Sequence, residues 1–157
     1  MNVSLPTRFK IVTAFAPKTT NAALTSVPVT LKNAVKAWLV LNFTQAVGFA
    51  STPTIKQATD IAIGTNAAGP VCRVWSNLDV SATDTLVERT AAASYALSTA
   101  ATNMLVVFEI DPALLTDGYD VVYCTIATSA QATDFVSGEW FLQTNFAQAT
   151  PPSAILD

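Results

Sequence analysis

Eleven acidic residues, eight basic ones and two cysteines are the main reactive side chains of this 157-residue sequence, and histidine is absent. Without an imidazole the commonest general base is missing, and the Ser-His-Asp and Cys-His nucleophile arrangements are excluded. Carboxylate pairs remain. Asp117 and Asp120 flank Gly118, and Asp79 and Asp84 share a loop. Neither pair matches a calcium loop, whose oxygen ligands alternate closely around a glycine, so both read as turn-forming, solvated acids. Glu109 stands between Phe108 and Ile110. A buried acid there would be a candidate site, whereas an edge or solvent-facing strand residue is the plainer reading. Cys72 and Cys124 lie far apart with no CxxC spacing, which suits two buried thiols and neither a disulfide nor a metal site. There is no glycine-rich phosphate loop, and Asn42-Phe43-Thr44 fits the glycosylation triplet only in a secreted protein. These residues predict no catalytic site, no cofactor and no metal.

Hydrophobic residues make up 51% of the chain and charged residues only 12%, about half the charged fraction of an ordinary soluble domain. The surface must therefore be rich in Ala, Ser and Thr. Such a surface is easily desolvated and suits burial against another protein, the plainer alternative being a monomer coated in hydroxyls. A net charge of −3 with scattered basic residues argues against a nucleic-acid partner. The uncharged runs 37–55 and 90–108 are interrupted by Asn42, Gln45 and Pro53 and by Ser94, Ser98, Thr99, Thr102 and Asn103, so no membrane span is expected. The run 11–16 before Pro17 is too short for a signal-peptide core, which implies synthesis and retention in the cytoplasm.

The apolar stretches that would position these groups are short, β-branched or aromatic, and divided by turn residues. Strands are expected over 9–15, 27–31, 36–43, 71–75, 95–98, 104–110, 119–128 and 135–146. In 36–43, Trp38, Val40 and Asn42 share one face, and Leu39, Leu41 and Phe43 the other. In 135–146, Phe135 and Phe141 oppose Trp140, Leu142 and Phe146. These strands are apolar on both faces, as when a strand packs in a sandwich and also meets a partner. The aromatic residues read as core filling, and a sugar-stacking platform would need at least two on one exposed face. Segment 64–70 reads as a loop ended by Pro70. Asp111 with Pro112 reads as a capped helical turn over 112–115, and 116–118 as a reversal. Segment 83–90 is open between a short helix capped by Asp84 and an exposed strand. About eight strands in one domain, residues 1–157, predict an all-β two-sheet sandwich or jelly roll.

The ends differ from the middle. Residues 1–7, with Leu5 and Pro6, and residues 148–157, with Pro151, Pro152 and Ile155, read as extended arms that either fray or strap a neighbour, and these five residues are the candidate interface.

Several stretches resemble a family of small tailed-phage and prophage virion proteins encoded near the major capsid gene. They are Lys36-Ala37-Trp38-Leu39-Val40, Thr44-Gln45-Ala46-Val47-Gly48, Lys56-Gln57-Ala58-Thr59-Asp60, Asp84-Thr85-Leu86-Val87 and Val107-Phe108-Glu109-Ile110-Asp111-Pro112. The ending Gln148-Ala149-Thr150-Pro151-Pro152-Ser153-Ala154-Ile155 is the most specific mark. The resemblance runs from about residue 30 to the end and carries no catalytic motif. It implies a virion setting on the capsid exterior. The expected role is that of a decoration or cement protein that binds the major capsid protein and self-associates as a dimer or trimer. A glycan-binding head fibre or tail adhesin on the same sandwich is the rival expectation.

Overall fold

The computed structural model describes residues 4–145 and 152–156. Eleven strands run in the order β1 (Phe9–Thr19), β2 (Leu24–Thr25), β3 (Val29–Thr30), β4 (Ala34–Thr44), β5 (Pro53–Ala58), β6 (Asn66–Ala68), β7 (Cys72–Asn77), β8 (Val87–Ala92), β9 (Asn103–Ile110), β10 (Val121–Ile126) and β11 (Phe135–Thr144). They form one sheet ordered β1-β11-β4-β9-β7-β8 and a second ordered β2-β10-β5-β6, with β3 also paired to β10. All pairings are antiparallel. The pairs β1·β11, β2·β10, β4·β9 and β5·β6 nest one inside the next, which is the strand order of a jelly roll. The β7–β8 ribbon extends the first sheet beyond β9. The expected all-β sandwich is thus the observed fold, and eight of the eleven strands form its jelly-roll frame.

Alternation drives the layering. In β4 and β9, buried residues at every second position (Ala37, Leu39, Leu41 and Phe43; Met104, Val106, Phe108 and Ile110) face the second sheet's Ile55, Val122, Cys124 and Ile126 in one core. Trp140 is fully buried in that core, and its indole Nε1 donates to the Val27 carbonyl across the sandwich at 3.0 Å. Cys72 and Cys124 are both buried free thiols, as expected.

Several expected boundaries move for identifiable reasons. The strand expected over 27–31 shrinks to Val29–Thr30 because Pro28 cannot donate to a ladder. Just upstream, the Ser26 hydroxyl accepts from the Cys124 amide at 2.9 Å. The strand expected over 95–98 does not form. Tyr95 and Leu97 donate to the Pro53 and Ser51 carbonyls beside β5, but the Ser98 and Ala100 carbonyls turn away to the buried Gln45 side chain at 2.8 and 3.1 Å. In segment 83–90 the exposed strand β8 begins at Val87, and no helix capped by Asp84 forms. Segment 64–70, expected as loop, contains β6.

β5 was not expected at all. Pro53 opens it, and the inward Gln57 breaks its apolar pattern. The Gln57 amide is satisfied, donating to Ala68 O and Thr116 Oγ1 and accepting from the Thr116 amide. The turn after β9 forms over Pro112–Leu114, with the Asp111 carboxylate accepting from the Ala113 amide at 2.9 Å. Gly118 reverses the chain at φ +82°, a region that favours glycine.

The arms also differ from expectation. Within 1–7, the described residues enter a one-turn helix α1 (Leu5–Arg8) in place of an extended arm, with Pro6 at its start and both the Thr7 amide and hydroxyl donating to Ser4 O. At the other end Ala154 is buried in the main core and its carbonyl accepts from the Thr30 amide at 2.8 Å. Segment 152–156 is therefore held by its own chain.

Candidate functional site

The register of the six-stranded sheet fixes what its outward face carries. Partners across antiparallel strands share a face. One row reads Ile11, Phe141, Trp38, Glu109, Arg73, and the next Thr13, Glu139, Val40, Val107, Trp75, Glu88. Leu5 of α1 joins Phe9, Trp38, Val40, Val107 and Phe141 around an open hollow of about 250 Å³. Phe9 meets Trp38 edge-on, with ring centroids 5.8 Å apart. This face is wet on one side and apolar in chemistry. The outward Trp38 and Val40 of β4 and Leu105, Val107 and Glu109 of β9 are half-buried because their large side chains cover one another, whereas Asn42 beyond them is exposed.

The second sheet differs. Its outward Ala58, Val121 and Tyr123 are covered by Ile61 and Ile63 from the loop after β5. The molecule covers the apolar part of one outer face with its own chain and leaves the aromatic hollow of the other open.

Charges border the open face in a paired cluster. Lys36 Nζ lies 2.6 Å from Glu109 Oε1, Arg73 Nη1 3.6 Å from the same oxygen, and Arg73 Nε 2.8 Å from Glu88 Oε1. The hydrogen bond from Lys36 is the main cause holding Glu109 below the usual carboxylate range. Burial opposes it, and Arg73 and the Trp38 indole add smaller contributions. The cations also stack on the aromatics, Lys36 Nζ 6.0 Å from the Trp38 ring centre and the Arg73 guanidinium 5.0 Å from that of Trp75. Glu109 is thus a half-buried, ion-paired residue on the outward side of its strand.

The other acids are engaged in turns or at the surface. Asp79 accepts from the Ser81 amide at 3.0 Å, and Asp120 lies 3.3 Å from Lys32 Nζ. The Asp134 carboxylate, not singled out in the sequence, is buried and accepts from the Ala46 and Val47 amides at 3.0 and 3.1 Å, which ties the loop after β4 to the start of β11. Among the described residues no three His, Cys, Asp or Glu side chains gather in a metal-binding arrangement. Burial pushes the Cys72 and Cys124 thiols up to about 12. No helix among the described residues is long and apolar enough to cross a membrane.

Of the candidate interface residues, Leu5 and Pro6 lie on α1, and Leu5 borders the open face. Pro152 and Ile155 are exposed on either side of the buried Ala154, and Pro151 lies outside the described residues. Pro152 lines a hollow with Lys10, Ala34 and Leu142. Sequence reasoning missed Trp38, Val40, Val107 and Phe141 as surface residues. Their signal was the two-sided apolarity of 36–43 and 135–146. Compared against known protein families and against curated proteins, the sequence matches none.

Proposed function

We propose that this protein is a decoration (cement) subunit of a tailed-phage capsid, seated on the outer surface of the major capsid protein lattice through the open face of its six-stranded sheet. The observation that carries this reading is the aromatic hollow around Trp38, Val40, Val107 and Phe141, left uncovered while the opposite outer face is covered by Ile61 and Ile63. Exposed apolar surface grouped in one patch marks a contact surface. A stable contact buries roughly 800 Å² per partner, and the net gain is the part that survives lost freedom on association. Repetition over many lattice positions then turns modest affinity into shell stability. The strand order is one that also serves in viral capsids and lectins, and a fold alone does not fix a function.

A glycan-binding adhesin is the second reading, because Trp38 and Phe141 place two aromatic rings on one open face. Sugar recognition pairs such rings with hydrogen-bonding side chains, and the hollow is lined by Leu5, Phe9, Trp38, Val40, Val107 and Phe141 alone. That lining favours a protein contact.

The test is mass spectrometry and electron microscopy of purified particles. The cement reading expects the protein at stoichiometric abundance on the capsid exterior. Its absence from mature particles, or specific signal on a glycan array, overturns it.

A further inference from the structure

We infer that the open face is completed by a protein partner that brings one Lys or Arg, set among apolar side chains, against Glu139. This deepens the cement reading and rests on it.

Glu139 sits inside the face, between Thr13 on β1 and Val40 on β4, in the row that continues to Val107 and Trp75. It is half-buried. The other charges in these rows, Glu109, Arg73 and Glu88, pair among themselves and with Lys36 of the adjoining Phe9–Gln143 row, and the four balance. Glu139 is left over, since no ion pair or side-chain hydrogen bond reaches its carboxylate among the described residues.

An occupant that covers Val40 and Val107 also strips water from their neighbour. A carboxylate desolvated without a counter-charge is strongly unfavourable, whereas one that meets a cation in the dry contact is matched. The face therefore selects by charge as well as by shape. A purely apolar surface is rejected at Glu139, and an acidic one is repelled. A second copy of this chain would bring the same balanced quartet and another Glu139, so its two central rows supply no spare cation. A basic residue ringed by apolar ones fits both the hollow and the carboxylate. A single desolvated pair is also little screened by salt, in keeping with attachment through a charge-poor surface.

The experiment re-decorates particles stripped of this protein with recombinant wild type, Glu139→Gln and Glu139→Lys, and measures bound protein against concentration. Wild type is expected to rebind, Glu139→Gln to bind roughly 30-fold or more weaker, and Glu139→Lys weaker still, with all three unfolding at the same temperature. Wild-type binding matched by both variants overturns the inference and leaves the cement reading standing. A Trp38-dependent dimer of the free protein, detected by sedimentation, also overturns it by giving the face to a second copy. Wild type that does not rebind overturns the cement reading and this partner together.

Discussion

Trp140 and Val27 join the two layers of the sandwich through one hydrogen bond, the indole Nε1 donating to the carbonyl at 3.0 Å from a ring with no exposed surface. Replacing Trp140 by Phe removes ring volume and leaves the carbonyl with only the Ser26 hydroxyl, 3.1 Å away, as donor. The expected loss is about 2–4 kcal/mol of unfolding free energy in a urea titration. A variant as stable as wild type would show that the bond contributes nothing to the layer contact.

Gly138 makes room for Leu41 on the neighbouring strand. A Cβ there would lie 2.6 Å from Leu41 Cδ2 and 2.8 Å from the Val40 carbonyl oxygen. Gly138→Ala should therefore cost about 1–3 kcal/mol by overpacking, read in the same titration. A stabilised variant would contradict the packing.

On the open face the expectation reverses. Trp38→Ser should leave the circular-dichroism spectrum unchanged and cost about 1–2 kcal/mol in stability, because the ring is only half-buried. The same variant should fail to decorate particles. Attachment of wild type should withstand added NaCl and yield to chaotropes, since the contact is apolar and its charges few. Release by moderate NaCl alone would count against it.

The ion pair of Lys36 and Glu109 fixes a pH dependence. Glu109 is held below its ordinary value of 4.5 in the folded protein. Its contribution is complete above the unfolded value and is lost as pH falls through the lower folded value. Stability measured from pH 7 down to pH 3 should fall less steeply in Glu109→Gln than in wild type. Parallel acid limbs would refute the coupling.

The thiols provide a readout of integrity. Burial raises Cys72 and Cys124 to about 12, so at pH 8 only about one in ten thousand is ionised. A thiol reagent should label neither in the native protein and both in urea. Rapid labelling of folded protein would mean that the core opens at that end.

Period-2 patterning in 36–43 and 135–146 was enough to put Trp38 and Leu39, and Phe141 and Trp140, on opposite faces, because side chains of a strand alternate whatever the neighbours are, but with both faces apolar it did not say which one is inside. Asp111 before Pro112 likewise determined its own turn, since capping is local. The sequence also excluded imidazole chemistry outright. It did not disclose β5, where Gln57 is inward because Ala68 and Thr116, distant in the chain, satisfy its amide. Nor did it show that 95–98 would lose its ladder to Gln45. Only the tertiary structure decided which two-sided strands keep an open outer face. Strand register gathered Phe9, Trp38, Val40, Val107 and Phe141 from four strands into one hollow and left Glu139, beside Val40, without an ion-pair partner among the described residues. Ile61 and Ile63 covered Ala58, Val121 and Tyr123 of the other sheet. Local alternation is a property of each strand, but what lies over a sheet depends on long-range pairing and loop placement, which no single segment encodes.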